Sequence, residues 1–172
     1  MEGVSFMRRL GTLVVLSLLQ VLFLNRIALF GYVTPLLYIW MIVRFDSSMS
    51  RVSVLLWSFF LGLTIDIFSG TPGLNAASSL LLGMFQPGLL KLFVQFDRHE
   101  TVVPSSLTMG GRQFAGYALL LVSLHHTAYF ILRSIPLCDW SVLVLKIIFS
   151  ALLTFIFMLV MESVSASSGF KH

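Results

Sequence analysis

The sequence predicts an all-α polytopic integral membrane bundle of about six transmembrane helices, one domain over residues 1–172 with both termini cytoplasmic. Three observations predict it. Hydrophobic residues make up 58% of the chain and charged residues 10%, with a mean hydropathy of +0.97, whereas a soluble domain carries about 25% charged residues. Apolar segments recur along the whole length. The basic residues fall unevenly into the gaps between them.

The first apolar segment, about Leu10 to Leu24, follows Arg8 and Arg9. No small-residue cleavage site succeeds it, so it reads as a retained helix and not as a removable signal peptide. The second covers about Ile27 to Val43 and contains Gly31 and Pro35. Spanning takes roughly 20 residues, so Asn25 to Thr34 suit the interface and only the part after Pro35 enters deeply. The third runs from about Val52 to Phe68, the fourth from Leu74 to Phe93, the fifth from Phe114 to Leu132 and the sixth from Ser141 to Met161. Pro87 should kink the fourth. Five or six crossings fit these lengths, and the charges favour six.

With six crossings, Arg8, Arg9, Arg44, Arg51, Lys91, Arg98, Arg112 and Lys171 share one side, Arg26 and Arg133 the other, and Lys146 lies within the sixth segment. This is a positive-inside bias, which places both termini in the cytoplasm. The net charge of +4 and pI near 9.6 therefore report topology. The bases form no patch that would hold nucleic acid. The longest polar gap, Gln95 to Arg112, carries Asp97-Arg98-His99-Glu100, Pro104-Ser-Ser and Gly110-Gly111. It reads as a solvated cytoplasmic loop or as a docking surface for a cytoplasmic partner. Cys138 is the only cysteine, which excludes an internal disulfide and a Cys-based metal site.

Asp66 stands inside the third apolar segment, where a carboxylate costs roughly 2.5–3.5 kcal/mol at the helix centre. It therefore needs a partner, a wet environment or a role. One candidate partner is Lys146, at a similar depth on the sixth segment, where Lys146, Ser150 and Thr154 form one stripe at i, i+4 and i+8. The other reading of Lys146 is snorkelling to the outer headgroups. After Asp66, Ser69-Gly70-Thr71-Pro72-Gly73 breaks the helix with turn residues, and Asn75 stands where it can cap the fourth segment. Ala76, Ala77, Ser79 and Gly83 then allow close helix approach in lipid.

His125-His126 tempts a metal or proton-relay reading. Adjacent helical residues diverge by about 100°, which does not suit chelation of one ion, and no acid accompanies them, so they read as hydrogen-bonded structural histidines. Trp40, Trp57 and Trp140 lie towards segment ends and read as interfacial anchors. No nucleophile elbow, no His-Glu-x-x-His, no Gly-rich phosphate loop and no second intramembrane carboxylate accompany Asp66. The chain is expected to be non-enzymatic, without catalytic, cofactor-binding or metal-binding residues.

Nearly the whole chain resembles the MreD family of rod shape-determining membrane proteins. The resemblance lies in Asn25-Arg26, Phe30-Gly31-Tyr32, Thr34-Pro35, Trp57 ahead of Gly62-Leu-Thr-Ile-Asp66, and then Thr71-Pro72-Gly73 and the small residues after Asn75. Many members have Pro-Leu-Gly where this chain has Pro72-Gly73-Leu74. The resemblance implies a scaffold in the bacterial cytoplasmic membrane. It would bind MreC, a single-pass protein, and so link MreB filaments to the glycosyltransferase and transpeptidase of peptidoglycan synthesis. The structural or partner-binding candidates are Gly62, Asp66, Gly70, Pro72, Gly73, Asn75 and Lys146.

The family is similar in architecture to the substrate-binding membrane subunits of energy-coupling-factor vitamin transporters. That is the alternative function, with Asp66, Asn75 and Lys146 lining a ligand pocket near the outer face.

Overall fold

The computed structural model describes residues 2–26, 33–94, 101–134 and 139–169. Helix α1 spans Glu2–Leu22 and ends in a 3-10 turn, Leu24–Arg26. A second 3-10 turn, Leu37–Ile39, leads into the short α2, Trp40–Val43. Then come α3 (Arg51–Ser69), α4 (Leu74–Phe93), α5 (Ser106–Met109), α6 (Gly111–Ser134) and α7 (Trp140–Gly169). No strand occurs among the described residues. Phe30, Gly31, Tyr32, the Asp97–Glu100 charges, Cys138 and Lys171 lie outside the described residues.

Four helices among the described residues, α3, α4, α6 and α7, are long and apolar enough to cross a membrane. The distribution of polarity agrees, because it is inverted relative to a water-soluble protein. Ile67, Phe68, Met84, Leu92 and Trp140 are each at least 64% exposed, while Gln20, Ser58, Asn75, Gln86, His125, His126, Ser150 and Thr154 are at most 2% exposed. Apolar side chains face lipid, which is as apolar as they are, so helix association relies on close packing and interhelical hydrogen bonds. This is a membrane protein.

Local chemistry sets the helix ends. Ser50 caps α3 by accepting the Ser53 N–H at 3.2 Å, and Gly70 closes its C-terminus in the left-handed region at φ 64°, which glycine adopts without steric cost. Helix α4 keeps the expected bounds and continues through Pro87. Helix α7 runs eight residues past the expected end at Met161.

Two departures change the picture. Residues 33–43 form no long helix: an extended stretch enters the 3-10 turn and the single turn of α2, with Leu36 to Val43 buried except for Trp40. The expectation of a solvated loop also fails for part of residues 102–109. Val102 exchanges hydrogen bonds with Ser47 (Ser47 N–H to Val102 O and Val102 N–H to Ser47 Oγ, both 2.9 Å). Ser105 and Thr108 form a capping box on α5, and Val102, Pro104, Ser105 and Met109 are buried. One side of this segment is thus held against the protein, while Leu107 and Thr108 remain exposed.

The ends of the elements sort by charge. Arg9 pairs with Asp46 at 2.7 Å and Arg44 with Glu162 at 2.8 Å. The Glu162 carboxylate also accepts the Ser106 N–H at 2.7 Å. The start of α1, residues 44–47, α5 and the end of α7 therefore meet at one arginine-rich end of the bundle. At the opposite end Asn25 donates to Ser69 at 2.7 Å.

Candidate functional site

The site grows from Asp66, one turn before the end of α3. Its carboxylate reaches across the turn to the start of α4. Oδ1 accepts the Asn75 N–H at 3.0 Å and Oδ2 accepts the Ala76 N–H at 2.9 Å. Oδ1 also accepts the Thr71 hydroxyl and the Asn75 side-chain amide, each at 2.9 Å. The first amides of a helix have no intrahelical partner, and the helix dipole favours negative charge there. Asp66 is thus a helix cap supplied by the preceding helix, and its desolvation is offset by four donors.

This corrects the expectation that Asn75 caps α4. Gly73 occupies the cap position without a side chain to serve it, and Asn75 lies inside the helix as a cross-linker. Thr71, Pro72, Gly73 and Leu74 form the reversal, closed by Leu74 N–H to Thr71 O at 3.3 Å. Pro at the second position and Gly73 at φ 82°, ψ −10° match a type II turn. Gly62 completes the lock: a Cβ there would stand 2.6 Å from the Ala76 Cα, so only glycine lets α3 approach the start of α4.

From Asn75 the polar chain runs inward. Tyr38 donates its hydroxyl proton to Asn75 Oδ1 at 2.9 Å and lies 3.0 Å from His125 Nε2. The Tyr38 proton being committed, His125 Nε2–H is the donor in that second bond. His126 has the opposite tautomer. Its Nδ1 is 2.9 Å from the Val122 carbonyl, which only accepts, so Nδ1 carries the proton and Nε2 accepts from the Thr154 hydroxyl at 3.1 Å. The two histidines serve different networks, as structural residues do.

These networks hold the non-helical stretch. Irregular backbone at membrane depth is tolerated only where protein satisfies it. Gln20 donates to Pro35 O and accepts the Leu37 N–H, both at 2.9 Å. Ser150 accepts the Thr34 N–H at 3.1 Å and Thr154 the Leu36 N–H at 3.0 Å. At the far end Gln86 donates to Phe45 O at 3.1 Å and to the Tyr117 hydroxyl at 2.9 Å, and Tyr117 donates to Val43 O at 3.1 Å. Side chains from α1, α4, α6 and α7 thus do what a helical ladder would otherwise do.

Lys146 stands apart from this lock. Ser150 and Thr154 of its stripe face the bundle interior, but Lys146 is half-buried. Among the described residues the ion pairs are Arg9–Asp46 and Arg44–Glu162, and Asp66 with Lys146 is not one of them. Gly62, Asp66 and Asn75 come together, Gly70, Pro72 and Gly73 shape the turn above them, and Pro72 and Gly73 are exposed. Gln20, Tyr38, Gln86 and Glu162 were not singled out from the sequence. An amide within an apolar run was the available signal for Gln20 and Gln86.

A cleft of about 410 Å³ opens beside the lock, at the end of the bundle opposite the arginine-rich one. Asn25, Thr34, Thr71, Asn75, Tyr129 and Arg133 contribute to its wall. The Arg133 guanidinium donates to the Tyr129 hydroxyl at 2.7 Å, which fixes one cation at the rim.

No protein-family model matches the chain, and no curated protein or solved structure matches it.

Proposed function

We propose that this chain is a non-enzymatic scaffold of the MreD type in the bacterial cytoplasmic membrane. It binds an MreC-like single-pass partner and thereby helps couple MreB filaments to peptidoglycan synthesis during elongation. The observation that carries this reading is the Asp66 lock. The one carboxylate of the resembling block is consumed by four internal donors, which suits a rigid platform rather than a reacting centre. Six crossings with cytoplasmic termini complete the proposal. In support, α1 runs from the arginine-rich end to the opposite end, residues 33–44 return, and α7 finishes beside Arg44.

Two experiments test it. Depletion in a rod-shaped host should make the cells round, and unchanged shape would count against a scaffold. Co-purification should recover the MreC-like partner with the wild type.

The alternative reading is a substrate-binding membrane subunit of an energy-coupling-factor type vitamin transporter. The outer cleft with Asn75, Asn25 and Arg133 is what favours it. A thermal-shift screen with vitamins and polyamines separates the two, since saturable stabilisation by one compound would support transport.

A further inference from the structure

The cleft beside the Asp66 lock, about 410 Å³ in volume, is as large as small-molecule sites of roughly 300–1,000 Å³. No acid is among the described residues of its wall. Arg133 is exposed in that wall and forms no ion pair among the described residues. It gives one N–H to the Tyr129 hydroxyl at 2.7 Å, which leaves the rest of the guanidinium fork uncommitted. Tyr129 is buried and its ring stacks on His125, with 6.5 Å between centres and 10° between planes. The cation is therefore held in place before any ligand arrives, which lowers the cost of binding one. Ser69 and Thr34 add half-buried hydroxyls to the wall. Ser69 already accepts the Asn25 amide, so its own proton is left to give, and Thr34 bonds to Ser150 through its backbone N–H. The acids at this end are occupied, Asp66 by the first amides of α4 and Asp139 by the Ser141 N–H at 3.1 Å.

We infer that this cleft binds a small organic anion, whose oxyanion group takes the free donors of Arg133. A wall with an uncompensated guanidinium and no carboxylate selects negative charge, and the planar fork matches carboxylate or phosphate oxygens. Leu36 and Ile65 give the body of the ligand a buried apolar surface. Apart from Val21 and Phe68, the accessible part of the wall is polar, which suits a ligand arriving from water rather than an acyl chain from the bilayer. The inference goes beyond the scaffold reading. It deepens the transporter alternative by fixing the charge of the ligand, and it rests on that reading's cleft being a binding site.

Thermal unfolding of the full chain in uncharged maltoside micelles tests it. The probes are acids, each beside a neutral counterpart: nicotinate and nicotinamide, pantothenate and panthenol, biotin and biotinamide. Spermidine supplies the opposite charge. At least one acid should raise the unfolding midpoint saturably, and its neutral counterpart should not. Arg133→Gln should weaken that acid about ten-fold or more, as the loss of a hydrogen bond to a charged group does. Tyr129→Phe, which frees the guanidinium, should weaken it less, and Arg112→Gln at the opposite end should leave it unchanged. The midpoint without ligand verifies that each variant is folded, and Tyr129→Phe carries the test if Arg133→Gln is not. A shift by spermidine or a neutral counterpart that survives Arg133→Gln overturns the anion assignment and leaves the transporter reading standing. No shift by any compound overturns the inference and counts against that reading as well. A shift by added phosphatidylglycerol alone, lost in Arg133→Gln, would assign the cation to a lipid headgroup and overturn the small-anion site.

Discussion

The Asp66 carboxylate of α3 accepts the backbone N–H of Ala76 in α4 at 2.9 Å, so one helix supplies the cap of the next. The two helices and their turn therefore behave as a unit. Asp66→Ala strips four donors of their acceptor and should destabilise the protein by about 3 kcal/mol or more, while Asp66→Asn, which keeps one carbonyl oxygen, should cost less. Unfolding in mixed micelles measures both. Combined with Lys146→Met, the losses should add to within about 0.5 kcal/mol, because the donors to the Asp66 carboxylate are Thr71, Asn75 and Ala76 and not Lys146. A larger coupling would show that Lys146 bears on the lock.

Glycine matters at two positions for different reasons, and the two should be separable. Gly62→Ala forces a methyl to within 2.6 Å of the Ala76 Cα, so α3 and α4 must part, at a cost of about 1–3 kcal/mol. Gly70→Ala meets no neighbour within 4 Å but adopts φ 64°, which costs about 1–2 kcal/mol of local strain. Only Gly62→Ala should also weaken the Asp66 cap, seen as faster amide exchange at Asn75 and Ala76.

The parts of the fold that were legible in the sequence are those governed by local chemistry. The bounds of α3, α4 and α6 follow from apolar runs and turn residues. The stretch 33–43 was not legible as a buried non-helical segment, because its side-chain partners are Gln20, Tyr117, Ser150 and Thr154 on three other helices. The energetic tension at Asp66 was visible, but its resolution was not. The carboxylate reaches Ala76 only once Gly62 has let the hairpin close. Lys146 drew attention through its matching depth, but the Asp66 carboxylate finds four donors within ten residues of itself.

The buried stretch should respond to loss of its side-chain partners more than to loss of packing. Gln20→Leu removes both the acceptor of Leu37 N–H and the donor to Pro35 O, and should cost about 2–4 kcal/mol. Thr154→Val preserves shape, orphans the Leu36 N–H and removes the donor to His126 Nε2. It should cost about 1–3 kcal/mol. Equal stability of Thr154→Val and the wild type would show that water replaces the hydroxyl.

The histidines make a spectroscopic prediction. Nitrogen-15 shifts should report the Nδ1–H tautomer for His126 and the Nε2–H tautomer for His125, following the Val122 carbonyl and the committed Tyr38 proton. In Tyr38→Phe the His125 Nε2–H loses its acceptor, so the His125 resonances should move while those of His126 stay in place.

Glu162 joins three elements at the arginine-rich end, and its loss should be felt at a distance along the chain. Its carboxylate is 4% exposed, pairs with Arg44 at 2.8 Å and accepts the Ser106 N–H at 2.7 Å and the Ser106 hydroxyl at 3.0 Å. Removing one partner of a buried pair leaves the other charge uncompensated, at a cost of about 3–5 kcal/mol when burial is complete. Arg44 is 23% exposed, so water recovers part of that. Glu162→Gln should therefore cost about 1–2 kcal/mol and retain a weaker bond to Ser106. Glu162→Ala should also release α5, and limited proteolysis should then cut residues 101–110 faster than in the wild type. Unchanged cleavage in Glu162→Ala would mean that the Val102–Ser47 bonds and the Ser105–Thr108 capping box hold the segment by themselves.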